Sequence, residues 1–160
     1  MDAGLKGEEI PTTDHVALHC QAFDLEIGDD GNPSGLKIDA FRVDDDGISV
    51  NWLEYEPGSF DDCFERTCRL LATLRTTRAS HRCGILKVGE IKQTAAARSK
   101  AVKVVHDPLV EPPNPAHSLI IGCAPSDEVL QDFALLVDLR PFTKTALEIS
   151  KEKEKKKKKT

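Results

Sequence analysis

The chain has no apolar run approaching the roughly 20 residues that a membrane-spanning helix requires. Its first residues, MDAGLKGEEIPTTD, have neither the basic start nor the apolar core of a signal peptide. The expected location is therefore cytoplasmic, without membrane contact. Aromatic residues make up only 5% of the 160 positions, and none lies between Phe64 and Phe133. A base-stacking platform is thus missing from the stretch where basic residues are densest. No Cys-x-x-Cys pair occurs among the five cysteines, which removes the strongest zinc and redox signatures. A G-x-S-x-G elbow, a glycine-rich phosphate loop and a Walker lysine are missing as well. No cofactor is implied.

What is present suits one soluble α+β domain. Hydrophobic residues make up 39% and charged residues 31% of the chain, enough for a core and a polar surface. Charge is unevenly spread. Residues 1–65 carry 17 acids and 3 bases, a net of −14, whereas residues 66–105 carry 10 bases and one acid, a net of +9. The basic middle either packs against the acidic region or faces a charged partner. Residues 1–13 read as a flexible leader, 14–150 as a single domain and 151–160, with seven lysines, as a solvated tail.

Within the domain, 14–27 reads as extended and GDDGNPSG (28–35) as a turn. LKIDAFRV (36–43), DDDG and ISVNWLEY (48–55) predict a hairpin, with Ile48, Val50 and Trp52 on one side. Ser59 caps a helix over 59–76, with Asp62 three residues on. Strands follow at 83–91, 101–107 and 117–123, with a short helix or loop after the first. A second main helix is capped by Ser126 and limited by Pro141. The expected architecture is a mainly antiparallel sheet with two principal helices packed on one face.

Chemistry-bearing residues are scattered. Asp14, His15, His19, Cys20, His81, Cys83, His106 and His117 are metal-ligand types, but their spacing matches no known site, so no metal is expected. Cys20 beside His19, or Cys83 near His81, would be the only cysteine nucleophiles. Adjacent strand residues face opposite ways, which argues against the first pair. Arg75, Arg78 and Arg82 in RTTRASHR form a phosphate- or partner-binding segment, extended by Arg98, Lys100 and Lys103. In HDPLVEPPNPAHSLIIG (106–122), His106 is expected at a strand end facing solvent. Pro112, Pro113 and Pro115 stiffen the approach to His117, making His117 the histidine of interest.

DHVALHC, DAFRVDDDGISVNWLEY and NPAHSLIIG, in that order, resemble an uncharacterised family of small bacterial proteins with SVNWLEY-like and NPAH-like motifs and no known activity. The resemblance covers about 14–137. It implies that His15, Asn51, Glu54, Asn114 and His117 share a location, and it supplies no reaction. The family's first segment carries an arginine a few residues after the His15 position, where this chain has Leu18 and His19. No charge-based role therefore carries over to that segment. The leading expectation is an interaction or accessory protein docking a protein partner through charged faces. The alternative is an enzyme or ligand-binding domain whose polar cleft uses His117, His15, Glu54 and Asn114. A weaker one is a phosphate or nucleic-acid binder working through Arg75, Arg78 and Arg82.

Overall fold

Seven antiparallel strands form the main sheet of this computed structural model, which describes residues 7–158. In chain order they are β1 (His15–Cys20), β4 (Val43–Asp44), β5 (Gly47–Trp52), β6 (Arg82–Lys87), β7 (Lys103–His106), β8 (His117–Ile121) and β9 (Asp138–Pro141). Their order across the sheet is β7-β8-β5-β1-β6-β9, with β4 also paired to β5. Strands β2 (Leu25–Ile27) and β3 (Pro33–Leu36) make a separate hairpin over the GDDGN turn. The helices are α1 (Phe60–Leu74), α2 (Val88–Ala97), α3 (Val129–Leu136) and α4 (Lys144–Lys158).

The α+β class and the antiparallel sheet are as expected, but the helices do not share one face. Strand alternation explains why. Val16, Leu18, Cys20, Ile48, Val50 and Trp52 pack with Ile91 of α2 and Phe133 of α3 in one core. Ala17, Cys83 and Ile85 pack with Cys68 and Leu71 of α1 and Ala146 of α4 in another. Both strand faces at β1 and β6 carry apolar side chains, so each needs its own helical cover. The result is three layers.

Ser59 caps α1 as expected, its hydroxyl accepting from the Asp62 amide at 3.1 Å. Ser126 does not cap α3. It takes a left-handed conformation (φ 63°), and α3 begins at Val129 without a side-chain cap. The strand expected over 83–91 becomes helical at Val88, where Val88, Ile91 and Ala95 turn inward. Half of the expected hairpin is also shorter, because Ile38–Ala40 forms a 3-10 turn and only Val43–Asp44 pairs with β5. Gly47 closes that turn with φ 129°, and a Cβ there would lie 2.6 Å from the Ile120 carbonyl oxygen.

Residues 1–6 of the expected leader and 159–160 of the expected tail lie outside the described residues, but 7–10 and 151–158 are engaged in the fold. Residues 7–10 run along edge strand β7, where the Ile10 amide donates to the Val104 carbonyl and the His106 amide to that of Glu8. An edge strand presents unpaired backbone groups, and this segment satisfies them. Toward the other end α4 continues through the lysines to Lys158, docked on α1 through Ala146 and on Thr77 just beyond it through Ser150. The Lys153 ammonium donates to the carbonyls of Ala72, Thr73 and Arg75 at 2.8–3.1 Å, completing the exposed end of α1. No helix among the described residues is long and apolar enough to cross a membrane.

Candidate active site at a fork in the sheet

Strand β5 is paired on both sides only at its ends. Toward β1, Asn51 lies opposite Ala17 and Trp52 opposite Val16, while Gly47 and Ile48 lie opposite β4. Ser49 and Val50 have no strand partner on that side, although both pair with β8 on the other. The Trp52 amide donates toward β8, to Ala116, and the Leu53 amide toward β1, to His15. Amides along an antiparallel strand alternate in direction, so the Ser49 amide faces the β1/β4 side of β5, next to the Val43–Ile48 pair. The sheet forks there.

A cavity of about 200 Å³ occupies the fork, lined by Ala17, His19, Arg42, Asp44, Ser49, Asn51, Leu71, Leu74, Arg75, Asn114 and His117 among others. Side-chain parity gives it its character. Ser49 and Asn51 leave β5 opposite Ile48, Val50 and Trp52, and His117 on β8 pairs with Asn51. The wall is therefore polar where the reverse face of the same strands is apolar.

His117 is held at both ring nitrogens. Nδ1 lies 2.9 Å from the backbone carbonyl of Asp107 and 3.3 Å from its carboxylate. A carbonyl only accepts, so Nδ1 carries the proton. The neutral ring then presents an unprotonated Nε2, which accepts from the Ser49 hydroxyl at 3.2 Å. Serine, imidazole and aspartate thus stand in the order of a nucleophile, a base and the group that orients the base. Ser49 is exposed.

Two further side chains of the lining carry buried atoms without a hydrogen-bond partner. Asn114 is 5% exposed, and its Nδ2 donates to Asn51 Oδ1 at 2.8 Å, which leaves Asn114 Oδ1 without a partner. His19, also 5% exposed, bonds His81 through Nε2 at 2.9 Å and leaves Nδ1 unpartnered. Burial, then the nearby His81 and Arg75, push the His19 pKa down to about 4, so the ring is neutral at pH 7. The Arg75 guanidinium makes no ion pair or hydrogen bond among the described residues, whereas Arg42 is tied to Asp24 at 2.9 Å.

Of the five residues expected to share a location, Asn51, Asn114 and His117 do so. His15 and Glu54 form a separate pair, with Nδ1 2.6 Å from Oε2, and neither lines the cavity. Phe60, at the start of α1, packs edge-on against the His15 ring and covers that end of the strand. His106 is not at the surface. It is 1% exposed, against Trp52 and Tyr55, with Nε2 2.6 Å from the Pro115 carbonyl. Its strand position gives it the Trp52 face, opposite to His117, so the two histidines are not partners.

The three arginines do not make one surface. Arg75 lines the cavity, Arg78 pairs with Glu154 at 3.0 Å and Arg82 donates to the carbonyls of Ala79 and His81. Arg98 is bound by Asp132 and Glu128, and Lys100 by Asp127. Much of the basic middle is therefore neutralised within the molecule, chiefly by the later acidic segments.

The cysteines face into the cores. Cys20 lies on the α2/α3 side of β1, away from His19, and burial pushes its thiol up to about 12. Its hydrogen bond with Cys68, then burial, holds Cys83 well above the ordinary thiol range. Neither is a thiolate nucleophile at neutral pH. Among the described residues no three His, Cys, Asp or Glu side chains converge as metal ligands. Asp14, one of the candidates, accepts instead from the Trp52 indole at 2.9 Å.

Ser49 and Asp107 are the site residues that spacing did not reveal. The strict alternation of Ile48, Val50 and Trp52 was the available signal for Ser49, since it assigns Ser49 to the opposite face together with Asn51. Comparison of the chain with protein-family models, with curated proteins and with solved structures finds no match.

Proposed function

We propose that the fork is the active site of a small acyl-transfer enzyme, an ester hydrolase in its simplest form, with Ser49 as nucleophile and His117 as general base. The observation that carries this reading is the Ser49–His117–Asp107 chain of contacts on the wall of a polar cavity. Ser49 Oγ attacks the carbonyl carbon of a bound ester while its proton passes to His117 Nε2. Collapse of the tetrahedral intermediate breaks the ester C–O bond, and the leaving alkoxide takes that proton. Water, deprotonated by the same nitrogen, then releases the acid from Ser49. Asp107 keeps the proton on Nδ1 and favours the imidazolium formed in each step. Asn51 Nδ2, without a partner among the described residues, is the donor available to an oxyanion.

A fluorophosphonate probe tests this. Covalent labelling at Ser49, lost in both Ser49→Ala and His117→Ala, is the expected result. An unlabelled wild-type protein would overturn it.

A second reading, docking of a basic protein partner, draws support from Asp29, Asp45 and Asp46. These are exposed in loops and make no ion pair among the described residues. Polylysine should then bind at low salt, and binding should weaken in an Asp45→Lys/Asp46→Lys variant. Equal binding by the variant would remove this reading.

A further inference from the structure

The cavity says more about its ligand than that it is polar. At about 200 Å³ it is smaller than the roughly 300–1,000 Å³ of sites for drug-sized molecules, so it suits a short acyl chain. Its wall is electrically lopsided. Arg75 brings a guanidinium with no counter-ion among the described residues, on a wall otherwise made by Leu71 and Leu74 of α1. Arg42 adds a second cation, already held by the buried Asp24. The one acidic side chain in the lining, Asp44, is occupied at its Oδ1 by the amides of Asp46 and Gly47, closing its own turn. This guanidinium is solvent-exposed and unpaired, and a carboxylate matches it through two parallel hydrogen bonds.

The relative placement orients the substrate. Arg75 follows the last turn of α1, facing His19 on β1, whereas Ser49 and His117 stand on β5 and β8 across the fork.

We infer that the substrate is a short ester whose acyl chain ends in a carboxylate, with the carboxylate seated on Arg75 and the scissile carbonyl at Ser49. This rests on the acyl-transfer reading and names its substrate class. It differs from a general esterase in that charge selection is built into the wall facing the nucleophile.

Mono-4-nitrophenyl glutarate and the uncharged 4-nitrophenyl butyrate separate these possibilities, because they share a leaving group. For the wild-type protein, kcat/KM for the glutarate ester is expected to exceed that for the butyrate by about ten-fold, as one charge-assisted contact would give. Arg75→Gln should bring the ratio close to one, and Arg75→Lys should keep part of it. Since Arg75 also ends α1, each variant is first checked for an unchanged thermal transition. If a variant fails to fold, inhibition of the wild-type protein replaces it. Free glutarate should then compete with the glutarate ester, and inorganic phosphate at the same concentration should compete less. Equal rates on the two esters, or an undiminished ratio in Arg75→Gln, would overturn the inference. So would phosphate competing as well as glutarate. Labelling of Ser49 by fluorophosphonate alongside such a result would leave the acyl-transfer reading standing. Absence of both labelling and hydrolysis would remove the two together.

Discussion

The two faces of β5 differ more than any other adjoining regions of the protein. On one, Ile48, Val50 and Trp52 are buried under α2 and α3 with Phe133. On the other, one residue away in each case, Ser49 and Asn51 face a cavity with His117 and Asn114. The first face is closed by apolar burial, which rewards filled space, though it holds an unpaired polar atom at His106 Nδ1. The second keeps two such atoms, His19 Nδ1 and Asn114 Oδ1. A fold can carry that cost only where the opposite face is well packed, and here the same strand supplies both.

Substitutions should separate the two faces by size of effect. Phe133→Ala opens a void in the apolar layer and should lower unfolding free energy by about 3–5 kcal/mol in urea titrations. A loss below 1 kcal/mol would mean that α3 is not an essential cover. The next effect is one of pH. Burial lowers the His19 pKa from the ordinary imidazole value of about 6.5 to about 4 in the fold, so the unfolded chain binds its proton first on acidification. Stability contributed by the neutral ring is present above pH 6.5 and is lost progressively toward pH 4, by up to about 3 kcal/mol. The urea midpoint of the native protein should therefore fall more steeply across this window than that of His19→Gln. Parallel slopes would show that the ring is not held neutral by its surroundings.

Smaller changes complete the series. Lys153→Ala frees three carbonyls at the end of α1 and should cost about 1 kcal/mol, read as a lower thermal midpoint. Ser49→Ala should leave stability within about 0.5 kcal/mol while abolishing the fluorophosphonate label. If Ser49→Ala instead destabilised the protein by as much as Phe133→Ala, its face of the strand would be structural.

Much of this contrast can be read in the residues. The alternation in ISVNWLEY assigns the faces of β5, and Ser59 with Asp62 marks the start of α1. The stiff approach through Pro112, Pro113 and Pro115 led to His117, which lies at the centre of the site. His106 was misassigned because KVVH places valines on successive positions, so the strand has no polar side to reveal its orientation. The helix α4 was hidden by its lysines. Its docking depends on Ala146, packed against α1, and Ser150, bonded to Thr77 just beyond α1, small residues one turn apart whose role appears only in the fold. The cavity itself has no local signal at all. It exists because β1 leaves β5 after Ala17, and where two strands part is a property of register across about 30 residues of intervening chain.

Lys153 has a reach beyond its own helix. One amine gathers the carbonyls of Ala72, Thr73 and Arg75, the turn from which Leu71, Leu74 and Arg75 enter the cavity wall. Its contact with the pocket is through the Arg75 backbone alone, so the lysine-rich helix anchors the main chain from which the pocket's unpaired cation projects.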